Sequence, residues 1–345
     1  MGRTDVPVLA RRLGNSLSGA EDGLEIRRAT DHDVPAILDL ALPTLGWNRD
    51  EEDAAFFHWK HIENPLGRSP MWVACVDDRV VGFRTFLRWE FARSDDSVLR
   101  AVRAVDTATD PEFQGRGIFS RLTMHGISEL QEEGVGIIFN TPNSKSLPGY
   151  LKMGWTIIGR PGVSVMPTGL HSVWALLGAR TAANRNPIEM RVGEDPAAVF
   201  SDTDAVGRLF RRLPSHHGLA TIRTGEYLQW RYGFAGLRYR VVLGGSSPED
   251  GLAVFHLRRR GRAVEATVCD VLVPDGARGR EHALMHQIAE LTEADYLLRV
   301  DRRRIMRGFV RVPKNGPILT GRSIDGRKVP ALDDLSLSMG DLELF

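Results

Sequence analysis

Val105-Asp106-Thr107-Ala108-Thr109-Asp110-Pro111-Glu112-Phe113-Gln114-Gly115-Arg116-Gly117-Ile118 reads as a strand, a tight loop and the start of a helix. Strand character comes from Val102, Val105, Thr107 and Thr109, and Pro111 ends the ladder because it has no N–H to donate. Gly115 and Gly117 let successive backbone N–H groups crowd one anion, and the helix behind them adds its N-terminal dipole. That helix is expected because Phe119, Leu122, Ile127 and Leu130 recur at helical steps, with Arg121, Glu129, Gln131 and Glu132 between them. The arrangement describes a pyrophosphate cradle. A glycine pair alone is weak evidence in a chain with 35 Gly among 345 residues, where Gly134-Val135-Gly136 repeats the pattern.

The residues after the helix carry more weight. Gly136 to Phe139 forms a short apolar run, a further strand, ending in Asn140-Thr141-Pro142-Asn143. Asn143, Ser146, Tyr150, Lys152 and Gly154-Trp155 then follow with the spacing Asn-x-x-small-x-x-x-Tyr-x-Lys-x-Gly-aromatic. Here the chain resembles the GNAT superfamily of acetyl-CoA-dependent N-acetyltransferases. The family's acyl-CoA loop is Gln or Arg, two residues, Gly, one residue, then Gly or Ala; Gln114 to Phe119 departs from it only at Phe119.

The resemblance implies an α/β fold, a mixed and mostly antiparallel sheet flanked by helices, with acetyl-CoA as co-substrate. It implies cofactor contacts at Thr107, Ala108, Thr109, Gln114, Gly115, Arg116, Gly117, Ile118, Phe119, Asn143 and Tyr150, with Phe119 narrowing the space beside the diphosphate. Tyr150 stands where the family's tyrosine protonates the leaving thiolate, and the backbone around Val105 to Thr109 would hold the oxyanion. An amine is almost wholly protonated at pH 7, and exposing its lone pair costs on the order of 4 kcal/mol unless a base removes the proton. Three candidates for that base stay open: Asp106, Glu63 and the carboxylate of Phe345. His58, His61, Trp47 and Trp59 fall in the region that walls the acceptor site in the family.

Composition agrees with a soluble enzyme. Lys+Arg 45 against Asp+Glu 44 gives no global field that would point to nucleic acid or an anionic membrane. The two cysteines, Cys75 and Cys269, sit in apolar runs and read as core residues, suggesting neither a disulfide scaffold nor a metal site. Residues 1–23 lack a sustained apolar stretch, so no signal peptide is expected, and no run reaches the roughly 18 apolar residues that span a bilayer. A cytoplasmic protein, monomeric or homodimeric, is the expectation.

Ahead of the loop, Leu24 to Arg28 reads as a strand, Val34 to Leu40 as a helix behind Thr30-Asp31, and Asp50 to His61 as a second helix. Met71 to Val76 and Arg79 to Phe91 read as a hairpin. Its second arm puts Phe83, Thr85, Leu87, Trp89 and Phe91 on one face and Arg84, Arg88 and Glu90 on the other. The rest of the chain echoes this plan: Leu228-Gln229-Trp230-Arg231 answers Phe57-His58-Trp59-Lys60, and Val268-Cys269-Asp270 answers Ala104-Val105-Asp106. Its loop, Ala277-Arg278-Gly279-Arg280-Glu281, keeps one glycine and adds an acid. A tandem duplication is therefore expected, with a cofactor-binding domain over 1–168, a linker over 169–189 holding a short helix near Trp174 to Leu177, and a degenerate domain over 190–345.

Three classes of function fit these features. The first is transfer of an acetyl group from acetyl-CoA to a primary amine of a small molecule by direct attack in a ternary complex. The second is acyl or aminoacyl transfer to peptide or protein amines. The third, non-catalytic CoA binding, would leave Tyr150 without a task.

Overall fold

The computed structural model describes residues 23–45, 51–169, 172, 187–277, 279–300, 306–312 and 316–343. Trp47, the expected helix near Trp174 to Leu177, and Phe345 lie outside them. Strand β1 (Glu25–Arg28) leads into helices α1 (Val34–Leu45) and α2 (Glu51–His61). The hairpin follows, β2 (Met71–Val76) and β3 (Arg79–Ala92), closed by Asp77 and Asp78 with φ of 47° and 63°. Two successive left-handed residues match the twist that a two-residue hairpin turn needs. Then come β4 (Val98–Thr109), α3 (Ile118–Glu132), β5 (Ile137–Asn140), α4 (Leu147–Lys152) and β6 (Thr156–Gly159).

The chain next leaves its own sheet. Strand β7 (Val163–Pro167) is followed by α5 (Pro196–Ser201), α6 (Thr203–Phe210), β8 (Leu219–Thr221), α7 (Gly225–Gly233), β9 (Arg240–Leu243), β10 (Leu252–Arg260) and β11 (Ala263–Leu272). The series closes with α8 (Arg280–Leu291), β12 (Tyr296–Val300), β13 (Val310–Val312), β14 (Leu319–Ser323), β15 (Leu335–Ser336) and α9 (Met339–Leu342). One sheet has the order β1-β2-β3-β4-β5-β14-β6, with β8 and β15 joined at β3; the other runs β13-β7-β12-β11-β10-β9. Both are built on one plan, antiparallel strands up to β4 or β11 and then a parallel neighbour, β5 or β12.

Two strands are exchanged between the sheets. β7 lies between β12 and β13, while β14 lies between β5 and β6. A second reciprocal contact joins α2 to α7: the Trp59 indole donates to the Trp230 carbonyl and the Trp230 indole to the Trp59 carbonyl, each at 2.9 Å. The two rings stack with centroids 5.4 Å apart. Like groups contacting each other reciprocally is the signature of a two-fold relation, here within one chain.

Burial explains the layering. On one face of the first sheet α3 packs Ile118, Leu122, Ile127 and Leu130 against Trp72, Phe86, Val102 and Ile138; on the other, Ile37 and Phe57 meet Val73 and Phe83. With layers on both faces, β3 has no solvent side through its middle. Arg84, placed by alternation on the polar face, is fully buried.

Candidate active site

The site begins where two strands part. β5 pairs with β4 from Ala101↔Ile137 to Arg103↔Phe139, after which β4 continues to Thr109 with no partner on that side among the described residues. Against β3, Arg84 faces Thr107 while Phe86 faces Ala104, so β4 carries one extra residue at Val105-Asp106. Such a bulge bends its strand and re-aims side chains. Side chains of β3 occupy the carbonyls exposed by it: Thr85 Oγ1 donates to the Asp106 carbonyl at 2.8 Å and Arg84 Nη1 to the Val105 carbonyl at 3.3 Å.

Beyond Thr109 the loop is held by its own side chains. The Asp110 carboxylate accepts the Glu112 N–H at 2.9 Å and is paired with Arg79, and Gln114 Nε2 donates to the Thr109 carbonyl at 3.2 Å. Gly115 and Gly117 have φ of +78° and +73°, and a Cβ built on either meets nothing within 4 Å. Gly117 caps α3. Left-handed backbone over open space at a helix N-terminus is a cradle of N–H groups that fits a diphosphate. Gln114, Gly115, Arg116 and Gly117 are exposed, whereas the Ile118 side chain is buried in the core. Thr107 and Thr109 are half-buried and Ala108 is buried, so this stretch of β4 offers a ligand mainly its edge.

Buried Tyr150 and Arg84 and half-buried Phe119 form one group behind the loop. The Phe119 ring meets Tyr150 edge-on at 5.5 Å and lies so close to Gly149 that a Cβ there would be 3.2 Å from it. Its bulk is thus turned onto α4, not toward the loop as the sequence suggested. Tyr150 is buried, and its hydroxyl accepts a hydrogen bond from Arg84 Nη2 at 2.8 Å. Asn143 Oδ1 accepts the Lys145 and Ser146 N–H groups at 3.0 and 2.9 Å, which leaves Nδ2 of its amide for a ligand.

Residues 25–158 match the family model described as an acetyltransferase (GNAT) domain. The chain carries a GNAT domain. Similar folds include a GCN5-related N-acetyltransferase from Anabaena variabilis ATCC 29413, with TM-score 0.60, 13% identity and coverage of 87% of this chain and 73% of that one. The enzyme of the same description from Kribbella flavida gives TM-score 0.56 at 15% identity over 88% and 72% of the two chains. Eis1 from Mycobacterium abscessus gives 0.55 at 13% over 88% and 74%. At these identities the likeness concerns the fold. No curated protein matches by sequence.

On the α2 side of the GNAT domain's bulged strand, Asp106 has partners that an available base would lack. Its Oδ2 accepts from Lys60 Nζ at 2.7 Å and His61 Nε2 at 2.9 Å, and the other ring nitrogen of His61 is 2.9 Å from Ser69 Oγ. Burial works to raise the Asp106 pKa, but Lys60 first and His61 next outweigh it and hold the carboxyl far below its ordinary value. Burial lowers both Lys60 and His61, with Asp106 only partly offsetting the loss of solvation. Glu63 is exposed and paired with His58 at 2.9 Å.

The second half reaches this strand through α9. Arg103, on β4 at the parting point, donates to the carbonyls of Asp341 and Leu342, the latter at 2.6 Å, and to Thr141 Oγ1 at 3.1 Å. Arg231 donates to the Gly340 carbonyl at 3.0 Å. The last carbonyls of a helix lack internal partners and carry partial negative charge, so two guanidinium groups suit them. Burial, then Arg231, pushes the Arg103 pKa down to about 10. Just beyond, Glu343 lies 3.2 Å from His256 and beside Arg258, with Cys269 Sγ 3.6 Å away. Cys269 is buried as its apolar run suggests, yet it borders this ionic cluster. A cavity of about 1510 Å³ opens nearby between the two halves, lined among others by Ala92, Arg160, Thr221, Arg223, Asp270 and Ser338, and no residue of the Asp110–Ile118 loop lines it.

Proposed function

We propose that this chain transfers an acetyl group from acetyl-CoA to a primary amine of a small molecule, by direct attack within a ternary complex, with the co-substrate bound in the first half. The observation that carries the reading is the open edge of β4 past Arg103, continuous with the Gly115–Gly117 cradle and backed by the Tyr150 hydroxyl. Gly115, Arg116, Gly117 and Ile118 N–H groups would hold the diphosphate, and the β4 edge from Val105 to Thr109 would hold the pantetheine and the oxyanion. Tyr150 gives the departing thiolate its proton. Asp106 is read as a fixed anion that fastens α2 to β4 through Lys60 and His61, because a carboxylate held far below its ordinary pKa is a poor proton acceptor at neutral pH.

Residues 1–168 and 190–345 are read as duplicated domains, the second without CoA. Its α9, fastened to Arg103, would wall the acceptor side of the cleft. The proposal is tested by following thiol release from acetyl-CoA across a library of small primary amines, peptides and lysine-bearing proteins. Small amines should give saturable turnover at a primary amine. Turnover with peptides or proteins alone would overturn the acceptor class, and none with any amine would overturn the activity.

A further inference from the structure

Arg84 is fully buried on β3, next to the cofactor strand, and among the described residues no carboxylate pairs with it. The contrast with Arg223 is direct, since that guanidinium is paired with Asp270 at 2.8 Å and Asp341 at 2.9 Å. What surrounds Arg84 is the Tyr150 hydroxyl at 2.8 Å, the Val105 carbonyl at 3.3 Å, and the faces of Phe86, Tyr150 and Phe119 at 4.6, 5.4 and 5.6 Å. Among the described residues its Nε has no hydrogen-bond partner. Ring faces and one carbonyl offset only part of what it costs to bury a charge.

We propose that Arg84 is a positioning residue for Tyr150, one that aims the tyrosine's proton at the leaving thiolate and receives the charge the proton leaves behind. This rests on the reading of Tyr150 as the acid. A guanidinium can only donate. With one oxygen lone pair of Tyr150 taken by Nη2–H, the tyrosine's own hydrogen has to point away from Arg84. As the thioester C–S bond breaks, the sulfur takes that proton, the O–H bond gives its electron pair to Oη, and the Arg84 contact with a neutral hydroxyl becomes an ion pair with a phenolate without moving. The amide nitrogen loses its surplus proton to solvent, and the phenolate regains one from solvent as products leave.

Hydroxylamine is the probe nucleophile, because it is small, largely unprotonated at neutral pH and needs no tailored acceptor pocket. Its acetylation by acetyl-CoA is followed as thiol release in the full chain and in Tyr150→Phe, Arg84→Gln, Arg84→Lys and the two doubles with Tyr150→Phe. Tyr150→Phe should lower kcat roughly 10²-fold, the scale of one lost proton-transfer group. Arg84→Gln should lower it about 10-fold or more with KM for acetyl-CoA within about twofold, Arg84→Lys should recover part of that loss, and neither should slow the Tyr150→Phe protein further. An Arg84 substitution that costs the same factor with and without the tyrosine hydroxyl, or none in the wild type, overturns the inference while leaving the Tyr150 reading intact. Wild-type turnover by Tyr150→Phe overturns both. If Arg84→Gln does not fold, judged by acetyl-CoA calorimetry, the Arg84→Lys cycle decides by the same criterion.

Discussion

The two sheets part their strands alike and end them in different loops. β11 pairs with β12 only from Glu265↔Tyr296 to Thr267↔Leu298 and then continues to Leu272 with no partner on that side among the described residues, as β4 does past Arg103. Asp270 matches Asp106, and each is gripped from the preceding helix: His61, two residues beyond Trp59, bonds Asp106, and Tyr232, two beyond Trp230, bonds Asp270 at 2.5 Å. Even the helix caps correspond, Gly279 at φ +78° answering Gly117 at +73°. The chemistry does not. Arg280 is bound to the Gly244 carbonyl, Glu281 is paired with Arg299 at 2.7 Å in the first turn of α8, and the chain has no tyrosine after Tyr296 to answer Tyr150. Backbone geometry makes a splay; the residues at its mouth decide whether it can hold and turn over an anionic thioester.

The largest effect should come from separating the halves. Because β14 fills the gap between β5 and β6, and β7 the gap between β12 and β13, a chain ending near Pro167 would leave open strand edges in the first sheet and remove the Trp230 partner of Trp59. Such a fragment should be insoluble or lack a cooperative melt and acetyl-CoA affinity. A soluble fragment with full affinity would show the exchange to be incidental.

Next in size is the reciprocal tryptophan contact. Trp59→Ala and Trp230→Ala should each destabilise by about 3–5 kcal/mol, the usual cost of truncating a buried aromatic. Since each indole bonds the other's backbone and stacks on its ring, the double variant should cost clearly less than the sum, read from urea unfolding. Strict additivity would mean that the two contacts are independent.

Smaller still is the pH-dependent hold on the segment after α9. Burial would raise the Glu343 pKa, but His256 and the guanidinium groups of Arg258 and Arg231 outweigh it and hold the carboxyl at about 2, against 4.5 for the free group. A depressed carboxyl stabilises the fold fully above its unfolded pKa, and that stability is lost as pH falls from about 4.5 toward 2. The contribution is at most about 3 kcal/mol. The stability difference between wild type and Glu343→Gln should therefore shrink as pH is lowered through this window; a constant difference would contradict the pairing.

Local signals in the sequence carried the first half well. The hairpin arms, α3 and the loop stand where β-branched runs, helical spacing and two glycines place them, because each of those signals acts within a few residues. Partnership across the chain was not legible. Val163–Pro167 and Leu319–Ser323 are ordinary strands whose composition says nothing of which sheet receives them, and the expectation that neighbours in sequence pair in space points the wrong way. Arg84 was hidden for a related reason: alternation tells two faces apart but not that both are covered. Phe119 was read from its bulk, while its rotation onto Gly149 and Tyr150 depends on a helix nearly thirty residues later.

The most direct test of the account is a calorimetric titration of the full chain with acetyl-CoA, repeated for Gly117→Glu and Gly279→Glu. These place the same substitution at matching left-handed caps of the two halves, so backbone strain is common to both and only the ligand site differs. Wild type should saturate near one equivalent, Gly117→Glu should bind none while remaining folded, and Gly279→Glu should keep both the stoichiometry and the affinity of wild type. Two equivalents in the wild type, or binding lost in Gly279→Glu and retained in Gly117→Glu, would contradict the assignment of the co-substrate to the first half.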